Sequence, residues 1–595
     1  MLQTTLAGKF APDANQCFFN SIAIIPTHTT LVPVAAGADG KSDALRQSDR
    51  GSSGVYPTWL LHMGPARSVG SLSTMTLASD LPVWPPSELK DSIRSKLITQ
   101  DARDFALSHG LVYRALPSEP NDEPLQDTTI HAPTTIVPTP FPRDLFEKAQ
   151  SLQPLFNKLY ARVAMDVNFL RTVMKDSVIK VDDFQRRLFD IWHTVQEEGA
   201  SQSVHLGLFR SDYLMHADNR NELELRQVEF NTIAASFGAL CTFASNMHRH
   251  LLRNHAYSNA APCLHMDNLP QNKAIDTLVS GLVDAHKYYV SECTIESRTM
   301  APVILFVVQP KERNAFDQRA LEYEIEDKHD INVMRMSLDD LQTKATVHGS
   351  NRKLFVQSPL HSTPVEVSVV YFRSGYGPDD YTSNAAWDTR LLLERSHAIK
   401  CPNVALQLAG SKKVQQVLSE PNILEKYIGS DAHEIRSTFS QLWPLDDSKI
   451  GREALVIARS TPEKFVMKPQ REGGSHNIYK HDIVPALDAM KKRDEERQAR
   501  GEDVSVKEHE GYILMSLIDT PKDRGAMMLR AGCGEEAQLM PQTVSELGIY
   551  GTILFGTKEL EEQRSGGYLL RTKSSESNEG GVAVGFSVID TPLLV

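Results

Sequence analysis

The sequence Lys468-Pro-Gln-Arg-Glu-Gly-Gly-Ser-His-Asn477 directly follows an apolar run, residues 464–468, that we predict to be a β-strand. Two adjacent glycines let the backbone approach a phosphate chain closely, Lys468 can neutralise phosphate oxygens, and Glu472 can hold Mg²⁺. The segment contains neither a Walker A motif nor a G-x-G-x-x-G turn. On its pattern alone, it is therefore either a nucleotide-binding loop or an ordinary glycine-rich loop.

Strand and helix patterns alternate on both sides of this loop. Apolar residues recur at helical spacing over residues 152–163 and 184–195. Several other runs are typical of strands, and one of them, residues 303–308, is continuously apolar, as expected when both faces of a strand are covered. The predicted strands are residues 303–308, 365–373, 464–468, 512–518 and 548–555. This alternation predicts an α/β fold, in which ligands usually bind at strand ends.

The composition argues against several classes of protein. A chain of 595 residues is too long for one compact core, so we expect two or three domains or one large elaborated fold. The formal net charge of -12 argues against a nucleic-acid surface, which needs clustered positive charge. No apolar run reaches the roughly 18 residues that a membrane span needs. The six cysteines form no CxxC pair and are interpreted as reduced thiols of a cytoplasmic protein, without disulfides or zinc.

Residues 1–84 differ from the rest of the chain. They are rich in Gly, Ser, Thr, Ala and Pro, contain no Glu, and show no sustained period. We interpret them as a disordered extension. A transit peptide is the alternative, but such peptides are usually rich in Arg and nearly free of acidic residues, whereas this stretch contains Asp13, Asp39, Asp43 and Asp49.

Glu229 and Asn231 alternate along the segment Glu229-Phe-Asn-Thr-Ile233, so both side chains are predicted to lie on one side of an extended chain. They would supply half of a Mg²⁺ site, since Mg²⁺ prefers a few carboxylate or amide oxygens together with phosphates and water. In isolation, the same pattern more often belongs to a solvated strand face.

Three arginines, Arg210, Arg373 and Arg571, occur at predicted strand ends or in loops. The guanidinium fork matches a carboxylate bidentately, so the three would suit a substrate that carries several carboxylates. Each one alone is more often part of a surface ion pair. The stretch Gly580-Gly-Val-Ala583 supplies small residues with backbone donors, and it is either a loop that closes over a ligand or a plain turn.

Long collinear segments of the chain resemble the eukaryotic-type glutathione synthetase family, from about residue 85 to the last residue. They are far more specific than any of the motifs above. The segments are LGLFRSDY (206–213), VEFNTIAASFG (228–238), KERNAFDQRA (311–320), VVYFRSGYGP (369–378), LLLERSHAIKCPNVALQLAGSKKVQQ (391–416), FVMKPQREGG (465–474), SELGIYG (545–551), LLRTK (569–573) and GGVA (580–583).

The resemblance implies which side chains bind Mg²⁺, ATP and the peptide. Mg²⁺ would be held by Glu229, Asn231 and Glu472. ATP would be surrounded by Glu229, Lys412, Lys468, Gly473, Gly474, Asn477, Tyr479, Met515, Ile518, Glu546, Lys573 and Glu579. The peptide substrate and the product would contact Arg210, Ile233, Ala234, Ala235, Ser236, Glu312, Arg313, Asn314, Gln318, Arg373, Ser374, Gly375, Tyr376, Arg571, Val582 and Ala583.

The resemblance also implies an ATP-grasp-like fold with a lid and an inserted substrate-binding domain. The expected parts are residues 85–300 of the body, a substrate-binding domain at 301–411, and an ATP-binding part at 412–595. The expected reaction is ATP-dependent ligation of γ-glutamylcysteine and glycine through an acyl phosphate. Lys412, Lys468 and Arg571 are the expected catalytic residues, and the expected state is a cytoplasmic homodimer.

Two alternatives remain open. A homoglutathione-type ligase would use β-alanine, whose extra methylene is discriminated only weakly. A catalytically inactive ATP-binding regulatory protein is motivated by departures from the family pattern: Ser475-His476 stand where Gly-Asn is usual, and Ala234 stands where serine is common. Ser516-Leu517 and Ser374 also depart from the pattern.

Overall fold

The structure is a computed structural model that describes residues 76–116, 123–175, 177–292, 301–358, 360, 362–470, 476–532, 534–556, 560–578, 580–583 and 585–595. Most of the predicted extension, residues 1–75, lies outside these ranges, as do the predicted ligand residues Glu472, Gly473, Gly474 and Glu579. Within the predicted extension, Leu81 and Trp84 are buried. Packed residues therefore occur before residue 85.

The described helices include those predicted at residues 152–163 and 184–195, which fall within α2 and α4 and are confirmed. The helices are α1 (Ser92–Ser108), α2 (Arg143–Met165), α3 (Val167–Lys175), α4 (Asp183–Glu198), α5 (Gly238–Arg253), α6 (Ala274–Glu292), α7 (Ala315–His329), α8 (Leu338–Lys344), α9 (Asn384–Arg395), α10 (Val404–Ala409), α11 (Lys412–Leu418), α12 (Ile423–Ile428), α13 (Ala432–Arg436), α14 (Lys449–Ser460) and α15 (Ile483–Ala499).

All five predicted strands are present, as β7, β11, β14, β16 and β19, and the mixed α/β class is confirmed. The strands are β1 (Val112–Arg114), β2 (Thr129–His131), β3 (Thr134–Thr135), β4 (Thr139–Phe141), β5 (His205–Ala217), β6 (Leu223–Asn231), β7 (Val303–Val307), β8 (Val333–Met336), β9 (Ala345–His348), β10 (Lys353–Val356), β11 (Val365–Phe372), β12 (Ile399–Cys401), β13 (Leu442–Pro444), β14 (Phe465–Pro469), β15 (Ile478–Tyr479), β16 (Tyr512–Ser516), β17 (Ala526–Leu529), β18 (Gln538–Met540), β19 (Thr543–Phe555), β20 (Glu561–Ser574), β21 (Ser587–Asp590) and β22 (Pro592–Leu594).

The largest sheet has eight described strands in the order β18-β17-β3-β21-β20-β19-β5-β6. Its centre is the long antiparallel pair β19–β20, against which β5 pairs from the other side of β19. Successive residues of β19, such as Ile549 and Tyr550, belong to different hydrophobic clusters, one containing α2 and the other α6. Because side chains alternate across a strand, the two helices cover opposite faces of this sheet.

A second sheet has the strand order β8-β7-β11-β10-β9, with β12 also paired to β11. The strands β8, β7, β11 and β12 are parallel, and every residue of β7 and β11 is buried, as expected when both faces are covered. All these strands fall within the predicted substrate-binding segment at residues 301–411.

A third, antiparallel sheet has the order β13-β16-β14-β15 and packs on α14 and α15 around its own small apolar cluster. It carries Lys468 at the end of β14, directly before the glycine-rich loop. The predicted ATP-binding part, residues 412–595, therefore supplies strands to three described sheets, since β17 to β21 belong to the eight-stranded one and β22 pairs with β4. Among the described residues, no helix is both long and apolar enough to cross a bilayer.

Candidate active site

The predicted ligand residues of the body lie on neighbouring strands of the eight-stranded sheet. The strands β6, β5, β19 and β20 are adjacent in this order, although hundreds of residues separate β6 from β19 in sequence. Their register places the polar residues side by side: the Cα partners are Arg210 with Asn231, Asp212 with Glu229, and Glu546 with Arg571. The sheet therefore gathers charged side chains from four strands at one place.

Two predicted substrate arginines share one buried carboxylate. Arg210 donates to Asp212 through Nε (2.6 Å to Oδ1) and through a terminal nitrogen (2.8 Å to Oδ2). Arg571 donates to the same Oδ2 at 3.2 Å and also forms a close ion pair with Glu546. Burial raises the pKa of Glu546, as do the charges of Asp212 and Glu229, while Arg571 opposes this shift. Nothing in the residue pattern singles out Asp212, which lies in the segment LGLFRSDY.

Glu229 is close to three positively charged side chains, those of Lys412, Lys468 and Arg571. Lys412 Nζ is 2.8 Å from Glu229 Oε2, and Lys468 Nζ donates to the backbone oxygen of the preceding residue, Val228, at 3.1 Å. Burial by itself raises the pKa of Glu229, but the charges of Lys412, Lys468 and Arg571 outweigh it and hold that pKa well below its usual range. All three predicted catalytic residues therefore act on one carboxylate, which they keep ionised.

Glu229 and Asn231 fit the donor set of a Mg²⁺ site. Glu229 is an ionised carboxylate, and Asn231 donates its amide hydrogens to Asp212 Oδ2 (3.0 Å) and to the backbone oxygen of Arg210 (3.1 Å), so its Oδ1 is not used in holding the side chain. The third predicted ligand, Glu472, lies outside the described residues. Within the described part of the chain, no group of three His, Cys, Asp or Glu residues could hold a metal. The two described donors would therefore need phosphate and water oxygens to complete a shell.

The third sheet carries the predicted ATP ligands. Tyr479 lies on β15, Met515 is paired with Val466 on β14, and Ile518 follows β16. Asn477 Nδ2 donates to the hydroxyl of Tyr479 at 3.1 Å. Lys468 and Lys412 are buried where this sheet meets the body. Lys573, two residues beyond Arg571 on β20, donates to the backbone oxygen of Asn578 at 3.1 Å.

The segment after β6 is held by three side chains from different elements. Arg210 and the hydroxyl of Tyr550 both donate to the backbone oxygen of Ser236, at 3.1 and 2.6 Å. Arg373 donates to Ser236 Oγ at 2.8 Å. Ala234 and Phe237 adopt positive φ angles of 49° and 76°, so the backbone folds tightly here. This loop, residues 232–237, links the Arg210 cluster to Arg373.

Asp317 fixes the same loop from α7 and was missed by the sequence reasoning. Its fully buried carboxylate accepts hydrogen bonds from the backbone N–H groups of Phe237 (2.8 Å), Ala239 (2.9 Å) and Leu240 (3.3 Å), which open α5. It also lies 3.5 Å from Arg373. A carboxylate at a helix N-terminus satisfies donors that have no partner inside the helix. The segment KERNAFDQRA contains it, but nothing in the residue pattern separates a helix-capping Asp from a solvated one.

Three of the remaining predicted peptide contacts, Glu312, Arg313 and Ser374, line a cavity of about 350 Å³. Arg313 donates to the backbone oxygen of Ala583 in a close contact, so the C-terminal loop forms part of the same region. Asn314 is buried, and its Oδ1 has no hydrogen-bond partner among the described residues. Gln318 Oε1 accepts from Arg335 at 2.9 Å, which leaves its amide nitrogen as the donor that faces elsewhere.

The loop after β11 is shaped around Asp380. Its Oδ2 accepts hydrogen bonds from the backbone N–H groups of Gly375 (2.9 Å), Tyr376 (3.1 Å) and Gly377 (3.2 Å). Gly375 has φ +90°, a conformation that a side chain rarely adopts. Gln309 donates to the Tyr376 hydroxyl at 3.0 Å, which orients that ring. One carboxylate therefore holds the backbone of two predicted substrate contacts, Gly375 and Tyr376, in place.

Comparisons with known proteins agree on one family. A model of the ATP-binding domain of eukaryotic glutathione synthase matches residues 92–594. The glutathione synthetase large chain of Schizosaccharomyces pombe is 37% identical over 504 residues, covering 82% of this chain and 96% of that protein. Glutathione synthetase of Homo sapiens is 38% identical over 510 residues, covering 85% and 98%.

A solved structure, that of a glutathione synthetase-like effector from Globodera pallida, aligns with a TM-score of 0.61 at 21% identity. The alignment covers 84% of this chain and 96% of that chain, and it supports the fold. The family match includes Glu229, Lys412, Lys468 and Arg571. The chain belongs to the eukaryotic glutathione synthase family.

Proposed function

We propose that the chain joins γ-glutamylcysteine to glycine at the expense of ATP, with Mg²⁺, and so forms glutathione, ADP and phosphate. The observation that carries this proposal is the ionised, partly buried Glu229 surrounded by Lys412, Lys468 and Arg571. An ionised carboxylate among buried cations suits a site where a metal and several phosphate oxygens are bound together.

In the first half of the reaction, the terminal carboxylate of the dipeptide attacks the γ-phosphate of ATP and forms an acyl phosphate. Two anions repel each other, so the site must offset their charge, and Lys412 and Lys468 do so from buried positions where charge is poorly screened. Glu229, Asn231 and Glu472 would hold the Mg²⁺, which supplies further charge neutralisation at the phosphates.

In the second half, the amine of glycine attacks the acyl carbonyl and a negatively charged oxygen develops. Arg571 is held by Asp212 and Glu546, and its side chain is 15% exposed, so its orientation is fixed before the reaction. Preorganised donors of this kind stabilise an oxyanion without reorganisation. The same buried surroundings keep water from the acyl phosphate, which would otherwise hydrolyse.

The dipeptide is bound between the body and the second sheet. Arg210 and Arg373 both donate hydrogen bonds to Ser236. Together they provide positive charge for the carboxylates of the dipeptide. Asn314 Oδ1 and Arg373 Nε are buried without hydrogen-bond partners among the described residues. Buried polar atoms are rarely left unsatisfied, so an acceptor and a donor at these positions suit the ammonium and the carboxylate of the γ-glutamyl group.

A phosphate-release assay on the full-length chain tests the proposal. We expect release only when ATP, Mg²⁺, γ-glutamylcysteine and glycine are all present, with each omitted in turn. A higher kcat/KM with β-alanine than with glycine would favour the homoglutathione-type alternative. Tight ATP binding without turnover in the complete mixture would favour the inactive regulatory protein.

The lowered pKa of Lys468 predicts how the rate of this reaction depends on pH. Burial, aided by the charge of Lys412, lowers the pKa of Lys468 to about 8, although Glu229 and Glu546 oppose the shift. The ammonium is thus present below pH 8 and is lost as the pH rises through that value, so log(kcat/KM) for ATP should fall with a slope approaching about -1 above it.

The control for this prediction is Lys468→Arg, since a guanidinium stays charged over the whole range. Its profile should remain flat up to about pH 9, even if its activity is lower throughout. The substrate thiol titrates in the same range for both proteins, so only the difference between the two profiles reports on Lys468. Identical profiles would contradict the assignment.

A homodimer in the cytoplasm, with parts at residues 85–300, 301–411 and 412–595, completes the proposal. The dimer and the boundaries rest on the resemblance described above. The cytoplasm is supported by the described cysteines Cys241, Cys263 and Cys401, which are free thiols.

A further inference from the structure

Asp212 is a carboxylate of the site with several hydrogen-bond partners, and the proposed function uses only its contact with Arg571. It is 1% exposed, and its two oxygens receive hydrogen bonds from Arg210 (2.6 and 2.8 Å), Asn231 (3.0 Å) and Arg571 (3.2 Å). Its partners are thus two proposed substrate arginines and one proposed metal ligand. A ligand molecule would have no access to Asp212 itself, since its oxygens are already occupied.

The contact with Asn231 decides which atom of that amide is presented to a metal. The amide nitrogen donates both to Asp212 Oδ2 and to the backbone oxygen of Arg210. Turning the amide around would place Oδ1 against two acceptors, which is unfavourable because neither can donate a hydrogen bond. Asp212 therefore holds the nitrogen on the protein side and keeps Oδ1 as the available oxygen donor.

The absence of a side chain at Gly548 is a separate observation that bears on the Arg210–Asp212 pair. It lies opposite Asp212 in the register of β19 and β5. A Cβ atom at this position would approach both Arg210 Cδ and Asp212 Oδ1 to 2.6 Å. The Arg210–Asp212 pair therefore occupies the space that any side chain at residue 548 would take.

We propose that Asp212 is a positioning residue of the metal and substrate site, acting through Asn231 and through the two arginines that it holds. The proposal rests on the proposed function, because it takes Asn231 as a metal ligand. Outer-shell partners of this kind orient the ligands that touch the metal, and their loss typically weakens metal binding or activity by about 10- to 100-fold.

The test compares Asp212→Asn with the wild-type full-length chain, using Mn²⁺ as the probe. Mn²⁺ binding in the presence of ATP is titrated by electron paramagnetic resonance, and kcat and KM are measured as a function of Mg²⁺. We expect the Mn²⁺ affinity to fall by about 10- to 100-fold. We also expect the Mg²⁺ concentration for half-maximal rate to rise by a similar factor.

Asp590→Asn is the matched control. Asp590 is also fully buried in the eight-stranded sheet, where it accepts hydrogen bonds from the hydroxyl groups of Thr135, Thr139 and Thr572, each at 2.6 Å. Its replacement should lower thermal stability but leave the Mn²⁺ affinity unchanged. A general effect of removing a buried carboxylate would instead change both variants alike and would overturn the proposal.

Gly548→Ala provides a second perturbation that keeps every charge. Its Cβ displaces the Arg210–Asp212 pair, so we expect the same loss of Mn²⁺ affinity, and this variant decides the matter if Asp212→Asn fails to fold. If a folded Asp212→Asn protein binds Mn²⁺ with wild-type affinity, the positioning role is overturned, but the proposed function is not. If Asp212→Asn does not fold, wild-type Mn²⁺ affinity in Gly548→Ala has the same meaning. Absence of ATP-dependent Mn²⁺ binding in the wild-type chain would instead refute the proposed metal site, and with it the role of Asp212.

Discussion

Replacing Arg571 by alanine is expected to lower kcat for glycine-dependent ADP formation by about 100- to 1,000-fold, the range found when one preorganised donor is removed from an oxyanion site. Arg571 is fixed by Asp212 and Glu546 and faces the charged cluster around Glu229. The effect should therefore appear mainly in kcat. Steady-state kinetics, with thermal denaturation to establish folding, measure it.

Arg564→Ala is the control for this substitution. Arg564 lies on the same strand, β20, but its side chain is 53% exposed and pairs with Asp284. Exposed ion pairs contribute little, about 0 to 1 kcal/mol, so this variant should keep nearly all of the wild-type activity. Arg571→Lys should fall between the two, because it retains the charge but loses the planar guanidinium, whose one terminal nitrogen contacts both carboxylates. A folded Arg571→Ala protein with more than half of the wild-type kcat would refute the assigned role.

Replacing Glu229 by glutamine is expected to reduce turnover by at least about 100-fold. The substitution preserves shape but removes the charge that would hold the Mg²⁺, and a loss of about 3 kcal/mol of charge stabilisation corresponds to that factor. The Mg²⁺ dependence should weaken in parallel. Glu224→Gln is the control, since Glu224 lies on the same strand but pairs with Arg226 away from the cluster.

The same substitution should also destabilise the fold, and the sign follows from the pKa. The pKa of Glu229 is lowered in the folded chain because Lys412 and Lys468 outweigh burial, so its ionised form stabilises the protein above the ordinary carboxyl pKa and this contribution is lost as the pH falls below it. At neutral pH, Glu229→Gln removes the negative charge that offsets the charges of the buried Lys412 and Lys468, which lowers the melting temperature.

A second substitution separates stability from catalysis. Adding Lys412→Met to Glu229→Gln removes one of the uncompensated charges, so the double variant should be more stable than Glu229→Gln alone. Its activity should stay low, because neither the metal ligand nor the phosphate-neutralising charge returns. Recovery of turnover together with stability would mean that the pair is only structural. Equal stability of the double and single variants would mean that the two groups are not coupled.

Much of the fold was predictable because its strands carry strong local signals. The run at residues 303–308 is apolar throughout since both faces of β7 are covered, and the helical spacing at residues 152–163 reflects the buried face of α2. The burial of Leu81 and Trp84 was not predictable, because it depends on distant parts of the chain.

The candidate site divides in the same way. Motifs and resemblance identified Glu229, Lys412, Lys468 and Arg571. The structure places the three positively charged side chains around the carboxylate of Glu229. Asp212 and Asp317 were missed, although both lie in segments that carried the resemblance. Their roles are defined by partners on other elements, and a single acidic letter in the sequence does not specify those partners.

The sequence by itself determined the class of fold, the family, and the side chains able to carry phosphate and carboxylate chemistry, because these follow from local periodicity and from long matched segments. Only the tertiary structure decided which of these side chains meet, since the pairing of β5, β6, β19 and β20 joins regions hundreds of residues apart. The surroundings then set their charges: burial lowers the pKa of Lys468, whereas Glu229 stays ionised because the nearby positive charges outweigh the effect of burial.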